Sequence, residues 1–471
     1  MMYFSIYKFF YVVYVICLIY FLCLVTYFFF LLVIAFLENR RRDIQHKDEN
    51  YNTALSSRFT IPVSILIPAL NEEKTILNCV KSALNQDYPE FEVIVVSDGS
   101  TDRTVEILAQ EFNLTETDIF YRKKVSNNNI VSIYKSGKYP NLTVVNKRNG
   151  GQKAAVLNNA LDFSRYRYIC SIDADTVLEK DAVLKTMRPI LREPDKIVGA
   201  GSLLGILNGF VVKDGKILKR KFSRFSLSSF QTLEYIRSHI GNRLSLSRFR
   251  SMLCICGGFG VWRKDFLLEI GGYSSDFTCE DIEITFRAHD HIVKNKKPYK
   301  IIMLPHCVAW TEGPSRIKNL IKQRNRWQRV TNETVWHYRH MLFNPKYGWI
   351  GFLGAPYYLF YESLGIFFEL ASIMVLLWGT VLGYVALNHF LLILAIMILC
   401  YSITTLVSLL IFDKNQRMLS LKDLLVFAGL SFLEFFGYRQ IISIARVLGT
   451  IDFIRGDKKW HKFERNHQTT Y

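Results

Sequence analysis

The sequence has no second cysteine pair to match Cys254 and Cys256, and its other cysteines are scattered. That argues against a zinc site. Cys17, Cys23 and Cys400 lie in apolar segments, where a thiol behaves as a small hydrophobe. The nine cysteines therefore read as structural thiols in a reducing compartment. Zinc-finger spacing, an RNA-recognition signature and a basic zipper are all missing. Despite a formal net charge of +18, no nucleic-acid partner is expected. No internal repeat is visible. No charged residue stands between Phe9 and Leu37, and no small-residue cleavage site follows that run. It is also far longer than the apolar core of a signal peptide.

What is present is apolar residue in long blocks. Half of the 471 residues are hydrophobic and 14% are aromatic, concentrated toward the two ends. That favours a membrane protein over a large soluble core. As a helix, Phe9 to Leu37 would reach about 44 Å against a hydrocarbon core of about 30 Å. One tilted helix is expected over residues 1–40, rather than a tight pair of short ones. Arg40-Arg41-Arg42 follows, and positive flanks stay in the cytoplasm, so the next domain should be cytoplasmic. Near the other end, Tyr357 to Leu387 and Leu391 to Phe412 should form a hairpin. Leu421 to Ile454 is interrupted by Glu434, Arg439 and Arg446. A broken or interfacial arrangement is expected there, with a basic cytoplasmic tail over 456–471. Glu362, Glu369 and Glu434 either line a polar path, sit at the interface or pair with a neighbouring arginine.

Between these blocks, residues 58–340 alternate short apolar runs with helical patterns. Val63–Ile67, Val93–Val96, Leu142–Val145 and Tyr168–Ile172 read as strands. Glu72–Leu84, capped by Asn71, and Thr101–Gln110 read as helices. The expected fold class is α/β, with a mixed, mainly parallel sheet covered on both faces. Ligands then bind beyond the carboxyl ends of the strands. Asn71, Asp98, Asn149 and Asp173 each fall just after a strand, and core packing does not explain four such polar groups on one edge. Lys123–Pro140 and Gly209–Arg224 are polar and read as exposed loops, either of which could touch substrate or lipid.

Five short motifs carry chemistry. In Asp173-Ala174-Asp175, two carboxylates one residue apart can serve a nucleotide and a divalent ion together. Asp98, in Ser97-Asp98-Gly99, either caps the next helix or bonds a base or ribose. Asn149-Gly150-Gly151-Gln152-Lys153 opens a helix, where glycines allow close backbone approach and the N-terminus favours anions. Glu280-Asp281 opens another helix and is either a macrodipole partner or the source of a general base. Gln323-Arg324-Asn325-Arg326-Trp327 lies on a basic helix. Its indole can stack on a sugar ring, and an adjacent arginine can hold a diphosphate.

Together with Pro68-Ala69-Leu70-Asn71-Glu72, these motifs stand in a fixed order over roughly Val63 to Arg329. In that order the chain resembles the membrane-embedded, processive glycosyltransferases of family 2, which include cellulose, chitin, hyaluronan and poly-N-acetylglucosamine synthases. In layout it is most similar to the poly-β-1,6-N-acetylglucosamine synthases. The resemblance implies a GT-A (Rossmann-like) domain that inverts the anomeric centre, with Mg²⁺ or Mn²⁺ as cofactor. It places uridine against the Ala69 backbone, Glu72 and Asp98, and the diphosphate near Lys153 and Asp173. Asp175 becomes the metal ligand. Asp281, next to Glu280, becomes the general base, and Gln323 and Arg326 lie over the diphosphate. Trp327 becomes the acceptor platform, and Cys256 to Phe259 the acceptor-side loop. The family's usual Thr-Glu-Asp is Cys279-Glu280-Asp281 here, with Thr278 displaced by one.

The implied partners are a UDP-sugar donor, UDP-N-acetylglucosamine by preference, a growing glycan and membrane lipid, at the plasma membrane. A single transfer to a lipid carrier is the alternative to a β-linked polymer. A transporter or sensor would leave the acidic constellation without a purpose.

Overall fold

The computed structural model describes residues 2–47, 60–125, 129–383 and 387–457. The expected tail therefore lies outside the described residues from 458 onward, as do 126–128 of the expected loop Lys123–Pro140.

Helix α1 (Met2–Lys47) carries the first apolar run as one continuous helix. Then come β1 (Val63–Ala69), α2 (Ile76–Leu84), β2 (Phe91–Asp98), α3 (Thr104–Phe112), β3 (Leu114–Glu116), β4 (Ile130–Ser136), β5 (Leu142–Lys147), α4 (Lys153–Phe163) and β6 (Tyr168–Ile172). After these the chain forms β7 (Val177–Leu178), α5 (Ala182–Arg192), β8 (Ile197–Ile206), β9 (Val211–Lys213), β10 (Lys216–Lys219) and α6 (Leu227–Ile236). The domain closes with β11 (Phe259–Arg263), α7 (Glu280–Lys294), β12 (Lys300–Thr311) and α8 (Ile317–His337).

Ten strands make one sheet in the order β3-β4-β5-β2-β1-β6-β11-β8-β12-β7. β5, β2, β1 and β6 are parallel neighbours, as are β8 and β12. β4, β11 and β7 run against their neighbours. The sheet is mixed and mainly parallel, as in a GT-A fold. β1 shows why both faces are covered. Val63, Ile65 and Ile67 join a core with Ile76, Cys79 and Val80 of α2. Leu66 points the other way, into a core with Leu157, Ala160 and Leu161 of α4. Alternate side chains of a strand face opposite sides, so an unbroken apolar run demands a helix on each. Because the four central strands are parallel, Asn71, Asp98, Asn149 and Asp173 fall along one sheet edge.

Three local expectations are corrected. The helix after β1 starts at Ile76, not Glu72, and its N-cap position is Thr75. Asn71 does not cap it. Its φ is 52°, and its side-chain oxygen accepts from the backbone N–H groups of Thr101 (2.7 Å) and Asp102 (3.3 Å). It ties the loop after β1 to the loop after β2. The polar stretch Lys123–Pro140 contains β4, an antiparallel strand at the β5 side of the sheet, and Gly209–Arg224 contains the hairpin β9–β10. Both are polar because these strands keep a face toward solvent.

Four further helices complete the chain: α9 (Gly365–Val381), α10 (Leu387–Gln416), α11 (Leu421–Leu433) and α12 (Tyr438–Ile454). Among the described residues, Tyr11–Gln45 and Leu387–Gln416 are long and apolar enough to cross a membrane. The count rises to four if two bent pairs each make one span: Ile350–Ser363 with α9, bent by 50°, and α11 with α12, bent by 54°. The stretch expected to run straight from Tyr357 to Leu387 is thus broken. Tyr357–Ser363 is π-helical, and the Arg446 guanidinium takes up the carbonyls of Tyr361 (3.0 Å) and Glu362 (2.5 Å). Irregular backbone among apolar helices needs such internal partners. The break expected within Leu421–Ile454 falls at Gly437, whose φ of 108° few other residues adopt.

The acids among the apolar helices pair with arginines or a phenol. Glu369 binds Arg439 at 2.7 Å and Glu434 binds Arg237 at 2.8 Å, while Glu362 accepts from the Tyr357 hydroxyl at 2.6 Å. One apolar cluster runs from Leu66 in the sheet through Leu31 and Ala35 of α1 to Phe412 of α10 and Phe427 of α11. The apolar helices and the sheet are therefore packed as one body. α8 lies along α12, with Asn325 bonded to Asp452 at 2.7 Å. They approach closely at Gly449, where a Cβ would come within 2.5 Å of the Asn325 carbonyl.

Candidate active site

The loops beyond the carboxyl ends of β1, β2, β5 and β6 form one wall of a cavity of about 700 Å³. Its opposite wall comes from the start of α7, from α8 and from the apolar helices. All eleven residues singled out from sequence line it: Ala69, Glu72, Asp98, Lys153, Asp173, Asp175, Glu280, Asp281, Gln323, Arg326 and Trp327.

On the sheet side, Asp98 ends β2. Its Oδ1 accepts from Lys147 Nζ and, at 2.9 Å, from the Gly150 N–H. The register of β2 on β5 sets Asp98 opposite Lys147, so the ion pair follows from strand pairing. Glu72 is buried. Its N–H donates to Thr104 Oγ1 at 2.8 Å and its carboxylate accepts from Thr75 Oγ1 at 3.0 Å.

At the centre, Lys153 opens α4 and places Nζ 2.7 Å from both Asp173 Oδ1 and Glu280 Oε1. Burial disfavours its ammonium, but the two carboxylates outweigh that and hold its pKa well above the usual lysine value. Asp281 stands at the first turn of α7. Its Oδ2 accepts from the Gly257 N–H at 3.0 Å and its Oδ1 from its neighbour's, Ile282, at 2.9 Å. Burial, and then the charge of Glu280, nonetheless raise the Asp281 pKa above the usual aspartate value. Gly257 and Gly258 sit between the acids. A Cβ on Gly257 would lie 3.1 Å from Lys153 Nζ, 3.2 Å from Glu280 and 3.3 Å from Asp281, and one on Gly258 would lie 3.5 Å from Asp173 Oδ2. The glycines thus hold open the space on which Asp281, Lys153 and Asp173 converge.

On the helix side, Arg324 is committed to structure. It bonds Glu234 at 2.6 and 3.2 Å, and Glu234 also accepts from the Tyr438 hydroxyl at 2.5 Å. Its guanidinium covers the Trp327 ring at 4.1 Å. The arginine of this motif that remains on the cavity wall is Arg326.

Asp173 and Asp175 are hard oxygen donors one residue apart, a set that suits Mg²⁺ or Mn²⁺. Among the described residues, no group of three or more His, Cys, Asp or Glu side chains is placed to hold an ion alone. The donor set fits an ion that completes its shell with substrate phosphate and water, and does not form a closed protein cage.

Sequence reading missed part of the wall. Lys147 was masked as an ordinary strand residue. Arg237, His239, Asn242 and Arg243 come from a π-helical stretch, Arg237–Leu244, that continues α6. The one hint is the run of polar residues Arg237-Ser238-His239 and Asn242-Arg243 beyond α6.

A model of glycosyl transferase family 2 matches residues 64–267, and one of glycosyl transferase family group 2 matches residues 168–412, more than half of the chain. The chain belongs to the family 2 glycosyltransferases. Curated relatives of this glycosyltransferase include the poly-β-1,6-N-acetyl-D-glucosamine synthase of Staphylococcus epidermidis. It is 28% identical over 274 residues, covering 58% of this chain and 55% of the relative. The enzyme of the same name from Staphylococcus aureus strain COL is 25% identical over 310 residues, covering 66% and 61%. The match thus spans between half and two thirds of these relatives' own length. Among solved structures, a mannosyltransferase from Pyrobaculum calidifontis in complex with GDP-mannose and Mn²⁺ shares the fold. Its TM-score is 0.51 at 15% identity, over 92% of this chain and 99% of that one.

Proposed function

We propose that this glycosyltransferase is an inverting, metal-dependent synthase that extends a β-linked polysaccharide from a UDP-sugar, UDP-N-acetylglucosamine first, and passes the product between its own helices. Residues 58–340 are the GT-A domain in this reading, facing the cytoplasm at the plasma membrane, with membrane helices at 1–40 and within 345–455. One observation carries it. The cavity that holds Lys153, Asp173 and Asp281 is continuous with a space lined by Tyr361, Tyr401, Glu434 and Arg439 among the apolar helices. A single transfer to a lipid needs no such extension, whereas a growing chain does.

Asp281 takes the proton from the acceptor hydroxyl, which then attacks the anomeric carbon opposite the departing diphosphate. The two backbone N–H groups on its oxygens fix the carboxylate toward the acceptor, and Gly257 leaves room for the reacting atoms. Asp173 and Asp175 would hold a divalent ion, which when bound neutralises the leaving diphosphate. Lys153 offers a second positive charge on that side. In this reading Glu72 and Asp98 bind uridine, Gln323 and Arg326 bind the diphosphate, and Trp327 carries the acceptor sugar. The curated synthases above support the choice of polymer and donor.

The test is turnover of the purified chain in detergent with a panel of UDP-sugars, read as released UDP and product mass. High polymer or a ladder from UDP-N-acetylglucosamine is the expected result. A single glycolipid product would replace the processive reading with the lipid-carrier one.

A pH dependence follows from Asp281. A base must be ionised, so the rate falls as pH drops through its pKa. Because that pKa is raised by burial and Glu280, the acid limb of kcat/KM should lie above the ordinary aspartate range, about 3.9. A limb at or below that value would show that Asp281 is not the titrating base.

A further inference from the structure

The π-helical stretch Arg237–Leu244 puts polar side chains into the cavity wall between the candidate base and the apolar helices. Such segments are rare and concentrate at functional sites. Two of these side chains have evident structural partners. Arg237 pairs with Glu434, and Asn242 Nδ2 donates to the Tyr357 hydroxyl at 2.9 Å. His239 is fully specified too. Its Nδ1 lies 2.8 Å from the Tyr235 carbonyl, which can only accept, so Nδ1 carries the hydrogen and Nε2 is an acceptor. Burial, and then the nearby Arg243 charge, push the His239 pKa down to about 3, so the ring stays neutral.

Arg243 is the exception. It donates to His239 Nε2 at 3.1 Å. Among the described residues that is its only hydrogen bond, and no carboxylate lies within ion-pair distance of it. A guanidinium has five N–H donors in a rigid fork. The acidic groups that act on its charge are the thiols of Cys254 and Cys256 and the phenols of Tyr357 and Tyr358. Thiols and phenols ordinarily titrate above neutral pH, and burial pushes both thiols further up. A partly buried cation is thus left facing the cavity with most of its donors unused. Cys254 and Cys256 line the same cavity as Arg243 and Asp281, and Cys256 leads directly to Gly257, whose N–H binds Asp281 at 3.0 Å. Arg243 therefore shares a cavity with Asp281, on a stretch that Asn242 and Arg237 tie to Tyr357 and to Glu434 beside the apolar helices, where an acceptor would lie.

We propose that Arg243, oriented by neutral His239, binds a carbonyl-type oxygen on the acceptor sugar. The group is either the acetamido carbonyl of a 2-acetamido sugar or the carboxylate of a uronic acid. The assignment deepens the transferase reading above and rests on it for the word acceptor. A planar donor fork suits both oxygens, and each answers the missing counter-partner better than a lone hydroxyl does. Arg243 would be an acceptor-binding residue, and His239 a positioning residue that holds its fork.

The test is direct calorimetric binding of four oligosaccharide sets to the full chain in detergent, saturated with UDP. The sets are β-linked N-acetylglucosamine, de-N-acetylated glucosamine, glucuronate-containing and plain glucose oligomers. The wild type should bind the acetylated or the glucuronate set about tenfold or more tighter than the glucose set, and which of the two it prefers names the group. Arg243→Gln should reduce that preference to about threefold or less, and Arg243→Lys should keep part of it. His239→Phe should mimic Arg243→Gln, whereas His239→Gln, which retains an acceptor, should keep the preference. A wild type without preference, or Arg243→Gln with the preference intact, overturns the proposal. UDP release by the wild type is scored separately. Release without an Arg243-dependent preference sinks this assignment alone. A preference without release from any UDP-sugar sinks the transferase reading and leaves a carbonyl-binding site at Arg243.

Discussion

Asp281→Asn should lower sugar transfer by roughly 10²- to 10⁴-fold, the range a positioned general base contributes. UDP affinity should change little, because the Asp281 oxygens face the backbone of Gly257 and Ile282 and not the strand ends where Glu72 and Asp98 sit. The structure adds a second expectation. Both carboxylate oxygens accept N–H groups, and an amide has one acceptor oxygen. One N–H of the pair must then face the new NH₂, which should cost about 1–3 kcal/mol of stability. Thermal unfolding separates that cost from the loss of chemistry. Asp281→Asn that keeps more than about a tenth of the wild-type rate, folded and UDP-bound, would remove Asp281 from the role of base.

Asp175→Asn should cost about as much by a different route. Chelation of the wild type should stop transfer, and added Mn²⁺ or Mg²⁺ should restore it. Asp175→Asn should stay roughly 10²- to 10³-fold down at metal concentrations that saturate the wild type, since neutralising a leaving diphosphate is worth several kcal/mol. The loss should be partly recovered at much higher Mn²⁺, because Asp173 remains as a second oxygen donor beside the nucleotide. The readout is UDP release against metal concentration. An Asp175→Asn curve that overlays the wild type, or a wild type indifferent to chelator, would mean that these carboxylates serve some other end. The two variants are expected to differ in kind: metal should rescue Asp175→Asn and should do nothing for Asp281→Asn.

Much of this was legible before any coordinates. β6 occupies the run expected for it, and β1, β2 and β5 extend theirs by two residues, β2 at both ends, because buried parallel strands are unbroken apolar segments. The helix after β1 was misplaced by four residues. Asn71 has the composition of a cap, but its amide turned to the neighbouring loop, a choice made by residues thirty positions on. β4 was hidden for the opposite reason, since a strand near the sheet margin with a wet face carries polar residues that look like a loop. The intramembrane acids were visible as anomalies, yet their partners Arg237, Arg439 and Arg446 could not be assigned from spacing.

By itself the sequence determined which chemistries were on offer. Acids stand where parallel strands end, glycines precede a lysine-headed helix, an acidic pair opens another helix, and long apolar runs bracket them on both sides. Local propensity and alternation carry that information, and both are properties of neighbouring residues. Only the tertiary structure decided that Lys153 meets Asp173 and Glu280 at one point, that Arg324 is spent on Glu234 while Arg326 faces the cavity, and that a π-helical stretch leaves Arg243 without a counter-charge among the described residues. Those outcomes depend on strand order and helix packing, which bring distant segments within 3 Å of one another, and no local pattern encodes such a meeting.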